Sequence, residues 1–214
     1  MANEWAELLM ASTQEMFAGG EPLMSRVLPE DAVAEIWEHY PDGDVINGEA
    51  NSRFFYHSHP PGQRIKGEHG HFHLFLGKEA MSEDIAPLIS APPQAEDAAR
   101  RSDVVHIAAL SISTEGLPMQ WFTTNRWVTD EWLYPAKAII AQLDRFDMRG
   151  PNGDPLINDW LTAMVQLSKN QIAGLLLERD TALSGADPSG ANHAVVMLST
   201  GLIDLERLFE GGDA

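Results

Sequence analysis

No cysteine occurs in the 214 residues of this chain. That excludes a disulfide framework, thiolate metal ligands and a cysteine nucleophile together. Positive charge is scarce as well. Fourteen Lys and Arg face 32 Asp and Glu, for a net charge of -18, and lysine occurs only at Lys66, Lys78, Lys137 and Lys169. A surface of that sign repels nucleic acid and anionic membrane unless a local basic patch intervenes. Arg100-Arg101 is a pair, not a patch, so neither nucleic acid nor membrane is an expected partner. No apolar run approaches the roughly 18 residues a membrane helix needs. The opening MANEWAELLMASTQEMF has no basic stretch followed by an apolar one, so a secretory signal is not expected and a cytoplasmic location is. Gly-x-Ser-x-Gly and His-Glu-x-x-His are also missing, which removes the common serine-hydrolase and helical metalloprotease sites.

What is present is apolar enough to fold. Hydrophobic residues make up 44% of the chain, and its length suits one domain spanning residues 1–214. Residues 2–18 read as a helix ended by Gly19-Gly20. Residues 30–39 read as a second helix, with Pro29 near its start and Ala32, Val33, Ile36 and Trp37 on its buried side. A turn follows over residues 40–44. Aromatic and β-branched character then predicts four strands, at 53–59, 70–76, 103–113 and 119–128, paired as antiparallel hairpins. The Ala/Pro-rich stretch 90–102 reads as a flexible linker. The last third is helical. One helix starts at Thr129 or Asp130, or near Tyr134 with Pro135 in its first turn, and ends near Phe146 to Met148. A long one runs from Asp154-Pro155 to about Asp180 with apolar residues at spacings of three and four, and a short one covers 204–209. Val195 to Leu198 suits an edge strand. The expected fold is α+β: a curved antiparallel sheet or partial barrel covered by N- and C-terminal helices.

Five of the eight histidines fall within 17 residues: His57, His59, His69, His71 and His73. Alternate side chains on a strand share a face. His57 and His59 therefore point the same way as Arg53 and Phe55, and His69, His71 and His73 share a face with Phe75. Folding the strands on the 60–68 loop brings opposed Cβ atoms to about 5 Å, so three or four imidazoles converge if His57 or His59 faces His71 or His73. Glu68 can add a carboxylate, Gly70 leaves room for a close approach, and His106 on the third strand can border the same cluster. Buried imidazoles crowded together stay neutral or share a ligand. The candidate metal set is His57, His59, Glu68, His69, His71, His73 and His106, with His69 and His106 as ligands or supports. Nitrogen and oxygen ligands without sulfur suit a divalent metal: Fe(II) first, then Zn, Mn, Ni or Cu, with haem behind them.

Arg126 and Arg53 are the candidate catalytic residues, as anchors for a small-molecule substrate. The plainer reading pairs Arg126 with Glu131 and Arg53 with Glu68. Tyr56, Trp37, Trp132, Trp160, Met16, Met24 and Met164 read as packing residues, His39 as a helix C-terminal histidine and His193 as exposed.

The stretch Arg53 to Phe75 locally resembles the first motif of cupins, with His57 and His59 as its His-x-His pair and Glu68 as its acid. The spacing departs from that motif, eight residues separating His59 from Glu68 where three or four are usual. Tyr-His-Ser-His-Pro, Glu-His-Gly-His-Phe-His and Thr-Thr-Asn-Arg-Trp-Val together resemble an uncharacterised bacterial family over residues 36–130 and the 203–205 tail; that resemblance implies no activity. The functional expectation from the residues is a metal-dependent enzyme, with mononuclear non-heme iron and oxidative chemistry on a small organic molecule. The alternatives are a non-enzymatic metal- or haem-binding sensor, carrier or store, and a metal-free interaction protein.

Overall fold

The computed structural model describes residues 2–28, 35–90, 103–186 and 189–210. Six antiparallel strands form one open sheet in simple sequence order. They are β1 (Tyr40–Asn47), β2 (Ser52–His57), β3 (Glu68–Gly77), β4 (Val104–Ser113), β5 (Pro118–Thr124) and β6 (Met197–Leu202). The fold is thus α+β, as the alternating patterns predict, but the sheet does not close; β1 and β6 are its edges.

The helices are α1 (Ala2–Ala18), α2 (Leu23–Val27), α3 (Arg126–Thr129), α4 (Ala136–Ile140), α5 (Pro155–Leu167), α6 (Lys169–Ala186) and α7 (Leu205–Phe209). One face of the sheet carries Phe54, Tyr56, Phe72, Leu74, Leu76, Ala108, Leu110 and Trp121, all buried in the main core. Helix α1 lies against α5, and α6 lies across β4, β5 and β6. The core therefore sits between the helices and this apolar face, which leaves the histidine face on the other side of the sheet.

Several local expectations need correction. Residues 40–44 belong to β1; the turn chemistry of Pro41-Asp42-Gly43 is absorbed as an irregularity between the Tyr40↔Tyr56 and Val45↔Phe54 pairs. The expected helix over 30–39 falls partly outside the described residues, as do Pro29, Ala32 and Val33; its described end is not helical. Ile36 instead bridges to Ser58, and Trp37 is left-handed at φ 72° and 54% exposed. The 90–102 linker, with Arg100 and Arg101, lies outside the described residues except for Ser90. The fourth strand ends at Thr124, because Asn125 accepts a hydrogen bond from Arg126 N and caps α3. The helix expected from Thr129 or Tyr134 is cut short: Asp130 is left-handed, Pro135 precedes α4, and α4 ends at Ile140. The expected long helix is two. Asp154 caps α5 through Leu156 N and Ile157 N, but the run breaks at Ser168. The break lets α5 pair with α1 while α6 turns onto the sheet. Gln171, the polar gap in the apolar stripe, reaches the edge strand and donates to the Leu202 carbonyl at 2.7 Å.

Candidate metal centre

The hairpin of β2 and β3 places His57 directly opposite His71, and Phe55 opposite His73. Paired residues share a face, so His57, His71 and His73 stand together on the side away from the helices. The rings are close: His57 to His71 is 4.6 Å between centroids, His57 to His73 5.0 Å, and His71 to His73 4.9 Å. Their ligand nitrogens all lie within 4.8 Å of one another, and all three side chains are buried, at 8%, 7% and 1% exposure. His57 Nε2 and His71 Nε2 are 2.8 Å apart. Two nitrogens about 2.1 Å from one ion stand about 3.0–3.4 Å apart, so the spacing is close to that of a shared cation. This triad can hold a metal ion.

Hydrogen bonds orient two of the three rings. His71 Nδ1 bonds Glu68 Oε1 at 2.8 Å, and His73 Nδ1 bonds His106 Nε2 at 3.1 Å. With Nδ1 occupied, each ring keeps Nε2 for a ligand, the usual role of groups behind a metal-binding histidine. His106 Nδ1 in turn lies 3.4 Å from Thr124 Oγ1, and its backbone N–H donates to Glu131 Oε2 at 2.6 Å.

Two β-bulges make this arrangement. Glu68 pairs with Ser113 and Gly70 with Ile112, so His69 is an extra residue on β3. The bulge turns Glu68 onto the His71 face and sends His69 to the other. There His69 Nδ1 meets Tyr56 Oη at 2.6 Å. The expectation that His69 shares a face with His71 and His73 fails for this reason. Further along, Leu74 pairs with Ala108 but Phe75 with His106, which makes Ile107 extra on β4. Strict alternation would keep His106 with Ala108 in the apolar core. The bulge rotates it onto the imidazole face beside His73. Gly70 earns its place in the packing: a Cβ there would lie 2.4 Å from the His57 carbonyl and 2.6 Å from Tyr56 Oη.

His59 lies beyond the end of β2, half-buried, its ring stacked on His71 at 5.0 Å and edge-on to Trp37 at 4.4 Å. These two residues flank the cluster beside His71 and are more exposed than its three buried rings. The expected role of Trp37, packing from a helix onto the sheet, is replaced by this contact. Arg64 donates through Nε to the His59 carbonyl and through Nη1 to the His69 carbonyl, so it straps the loop beside His59.

Burial sets the electrostatics. It pushes the His73 imidazole well below its usual range, helped by the neighbouring imidazoles. It lowers His106 to about 3, with the Arg179 charge adding to the effect, and His59 to about 4. All three are therefore neutral ligands or acceptors at neutral pH. Burial alone would raise Glu68, but the His71 hydrogen bond and charge and the Ile65 N–H outweigh it and hold the carboxyl below the ordinary range. Glu131 goes the other way. It is fully buried, and desolvation raises it to about 7 against the pull of Arg179 and the His106 N–H.

The two arginines are placed differently from expectation. Arg53 is paired with Asp44, Nη2 to Oδ2 at 2.5 Å, rather than with Glu68. Arg126 donates to the Ser90 carbonyl at 2.9 Å and sits 4.0 Å from Asp130. Neither belongs to the three-histidine group. His39 is not a helix cap: it bonds Asp44 at 3.2 Å and stacks on Phe55 at 3.7 Å. The sequence reading also passed over Thr124 and Glu131 as supports for His106. Thr124 was legible as a residue on the Phe122 face; Glu131 had no signal beyond being an acid near the end of a strand.

The architecture defines a class: an open antiparallel sheet with helices on one face and a buried imidazole cluster on the other. A family model described as a domain of unknown function (DUF6969) matches residues 3–198, and the chain belongs to that family. No curated protein and no solved structure matches the chain. No helix among the described residues is long and apolar enough to cross a membrane.

Proposed function

We propose that this protein is a cytoplasmic metalloenzyme whose single metal ion is held by His57, His71 and His73, and that the ion is Fe(II) serving oxidative chemistry on a small organic molecule. One observation carries the reading: three buried imidazoles converge from adjacent strands, with His57 Nε2 and His71 Nε2 at 2.8 Å. Burying two bare imidazole nitrogens against each other is costly unless a proton or a cation lies between them. Three nitrogen ligands leave coordination positions for an exogenous molecule, which separates a reactive site from a closed structural one. The absence of sulfur and the all-imidazole donor set suit a borderline divalent ion such as iron. Phe55 and Phe122 press on the rings, with centroids at 5.0 Å from His73 and 5.1 Å from His71. They supply the dry surroundings that oxidative chemistry needs to protect reactive species from water. Haem fits less well, because imidazoles packed within 5.0 Å of each other leave no flat slot for a macrocycle among them.

Elemental analysis of protein made without a polyhistidine tag tests the proposal. Close to one equivalent of metal, with iron predominant after anaerobic expression, is the expected result. The paired variant His57→Ala and His71→Ala should lose it while keeping its far-ultraviolet circular dichroism. Metal-free protein whose stability is indifferent to chelators and to added Fe(II) would overturn it.

A further inference from the structure

The three ring nitrogens bring no charge to the ion they would hold. Histidine ligates as neutral imidazole, so a divalent cation in their midst keeps both of its positive charges. Of the carboxylates around the site, Glu68 stands behind His71 and offsets one of those charges, which leaves one without a counterpart. Glu68 accepts from His71 Nδ1 at 2.8 Å with one oxygen and from Ile65 N at 3.2 Å with the other. Glu131 Oε2 is bonded to the backbone of His106 at 2.6 Å while its Oε1 is buried without a hydrogen-bond partner, behind His106 rather than among the three rings, and Asp44 is held by Arg53 and His39. Among the described residues no carboxylate joins the three histidines as a ligand group. The surroundings are apolar: Phe55 and Phe75 pack together on this face at 5.6 Å, and Phe122 adjoins His71. A buried cation in such a place calls for a counter-charge close at hand.

We infer that the substrate supplies this charge: a small anionic chelator, such as a carboxylate with a second donor atom beside it, that ligates the metal directly where the three histidines leave it open. The inference rests on the metal reading above. The contacts around His59 agree with it. Arg64 is the strapped cation there, close enough for its charge to act on both His59 and His69, and it favours an anion on the way in. His59, half-buried, stacks on His71 and meets Trp37 edge-on at 4.4 Å, so the more exposed end of the cluster lies beside Arg64. The protein as a whole is acidic, so attraction of an anion must be this local, which adds selectivity against larger anions that would feel the -18 surface first.

The test uses full-length protein loaded with Co(II), whose visible absorption reports its ligands. It is titrated with picolinate and with 2-(aminomethyl)pyridine at a pH where the amine is largely neutral. Both probes form a five-membered chelate through a pyridine nitrogen and differ in charge. Retained cobalt with picolinate binding at least tenfold more tightly than the neutral probe supports the inference. Retained cobalt with equal binding, tighter binding of the neutral probe, or no binding of either overturns it while leaving the metal site standing. A protein that takes up no cobalt overturns the metal reading itself.

Discussion

His106 Nε2 lies 3.1 Å from His73 Nδ1, although the two residues sit on different strands and are 33 positions apart. The contact exists because the extra residue Ile107 rotates His106 out of the core. For His73 to offer Nε2 to a metal, His106 must accept the His73 proton, and Thr124 then faces the other nitrogen of His106.

That chain gives the first prediction. His106→Leu removes the acceptor and leaves a buried N–H unsatisfied. Metal affinity should fall by about 10–100-fold, the usual effect of losing such a support. His106→Gln keeps an acceptor and should recover most of the loss. Competition against a chromophoric chelator measures both, and equal affinities in the two variants would remove His106 from this role.

The acid side of the stability profile follows from the buried imidazoles. His59, His69, His73 and His106 are all lowered in the folded state, His59 to about 4 and His106 to about 3. The unfolded chain therefore binds more protons below its ordinary histidine range of about 6.5. The histidine contribution to stability should be full above pH 6.5 and should drain away as the pH falls toward those values. Each fully buried histidine contributes a slope of about 1.4 kcal/mol per pH unit. Urea unfolding of metal-free protein at pH 7, 6 and 5 measures it, and His106→Leu should flatten the slope by about one proton.

Glu131 works in the opposite direction. Its folded-state value is raised to about 7, so the folded protein holds the extra proton between the ordinary carboxyl range and neutrality. This group's contribution to stability is fully present below about pH 4.5 and is lost as the pH rises through 7. Glu131→Gln should consequently gain on the parent protein between pH 5 and 8, by up to about 3 kcal/mol. The amide oxygen can still accept from His106 N–H. An unchanged difference in unfolding free energy across that range would show that Glu131 is ionised throughout.

Gly70→Ala tests the packing under the site. The added methyl meets the His57 carbonyl, a backbone atom that cannot swing aside, and the Tyr56 ring. A loss of about 1–3 kcal/mol is expected from such overpacking. Because the strain falls on His57 itself, metal content should fall along with the thermal midpoint. Gly62→Ala, where a Cβ meets nothing within 4 Å, should leave both unchanged.

The amino-acid sequence by itself determined a good deal of this protein. Absent cysteine fixed the ligand chemistry as nitrogen and oxygen. The period-two alternation of Phe54, Tyr56 and then Phe72, Leu74 and Leu76 decided which side of the hairpin is core, since a strand's two faces are set by residue parity alone. The same parity put His57, His71 and His73 on the opposite side, while the pairing of His57 with His71 was left to the folded sheet. Helix ends at Asp154-Pro155 and at Asp204 were legible because capping is local chemistry. What tertiary structure decided were the departures from parity. A bulge costs one unpaired residue and is selected by what the whole sheet gains, so nothing beside His69 or Ile107 in the chain announces it. Those two insertions exchanged Glu68 for His69 and brought His106 to His73. Likewise Arg53 chose Asp44 over Glu68 because β1, read as a turn, is a strand that carries the acid alongside. Ionic partners and second contacts depend on which elements pack together, and a one-dimensional pattern contains no distances between them.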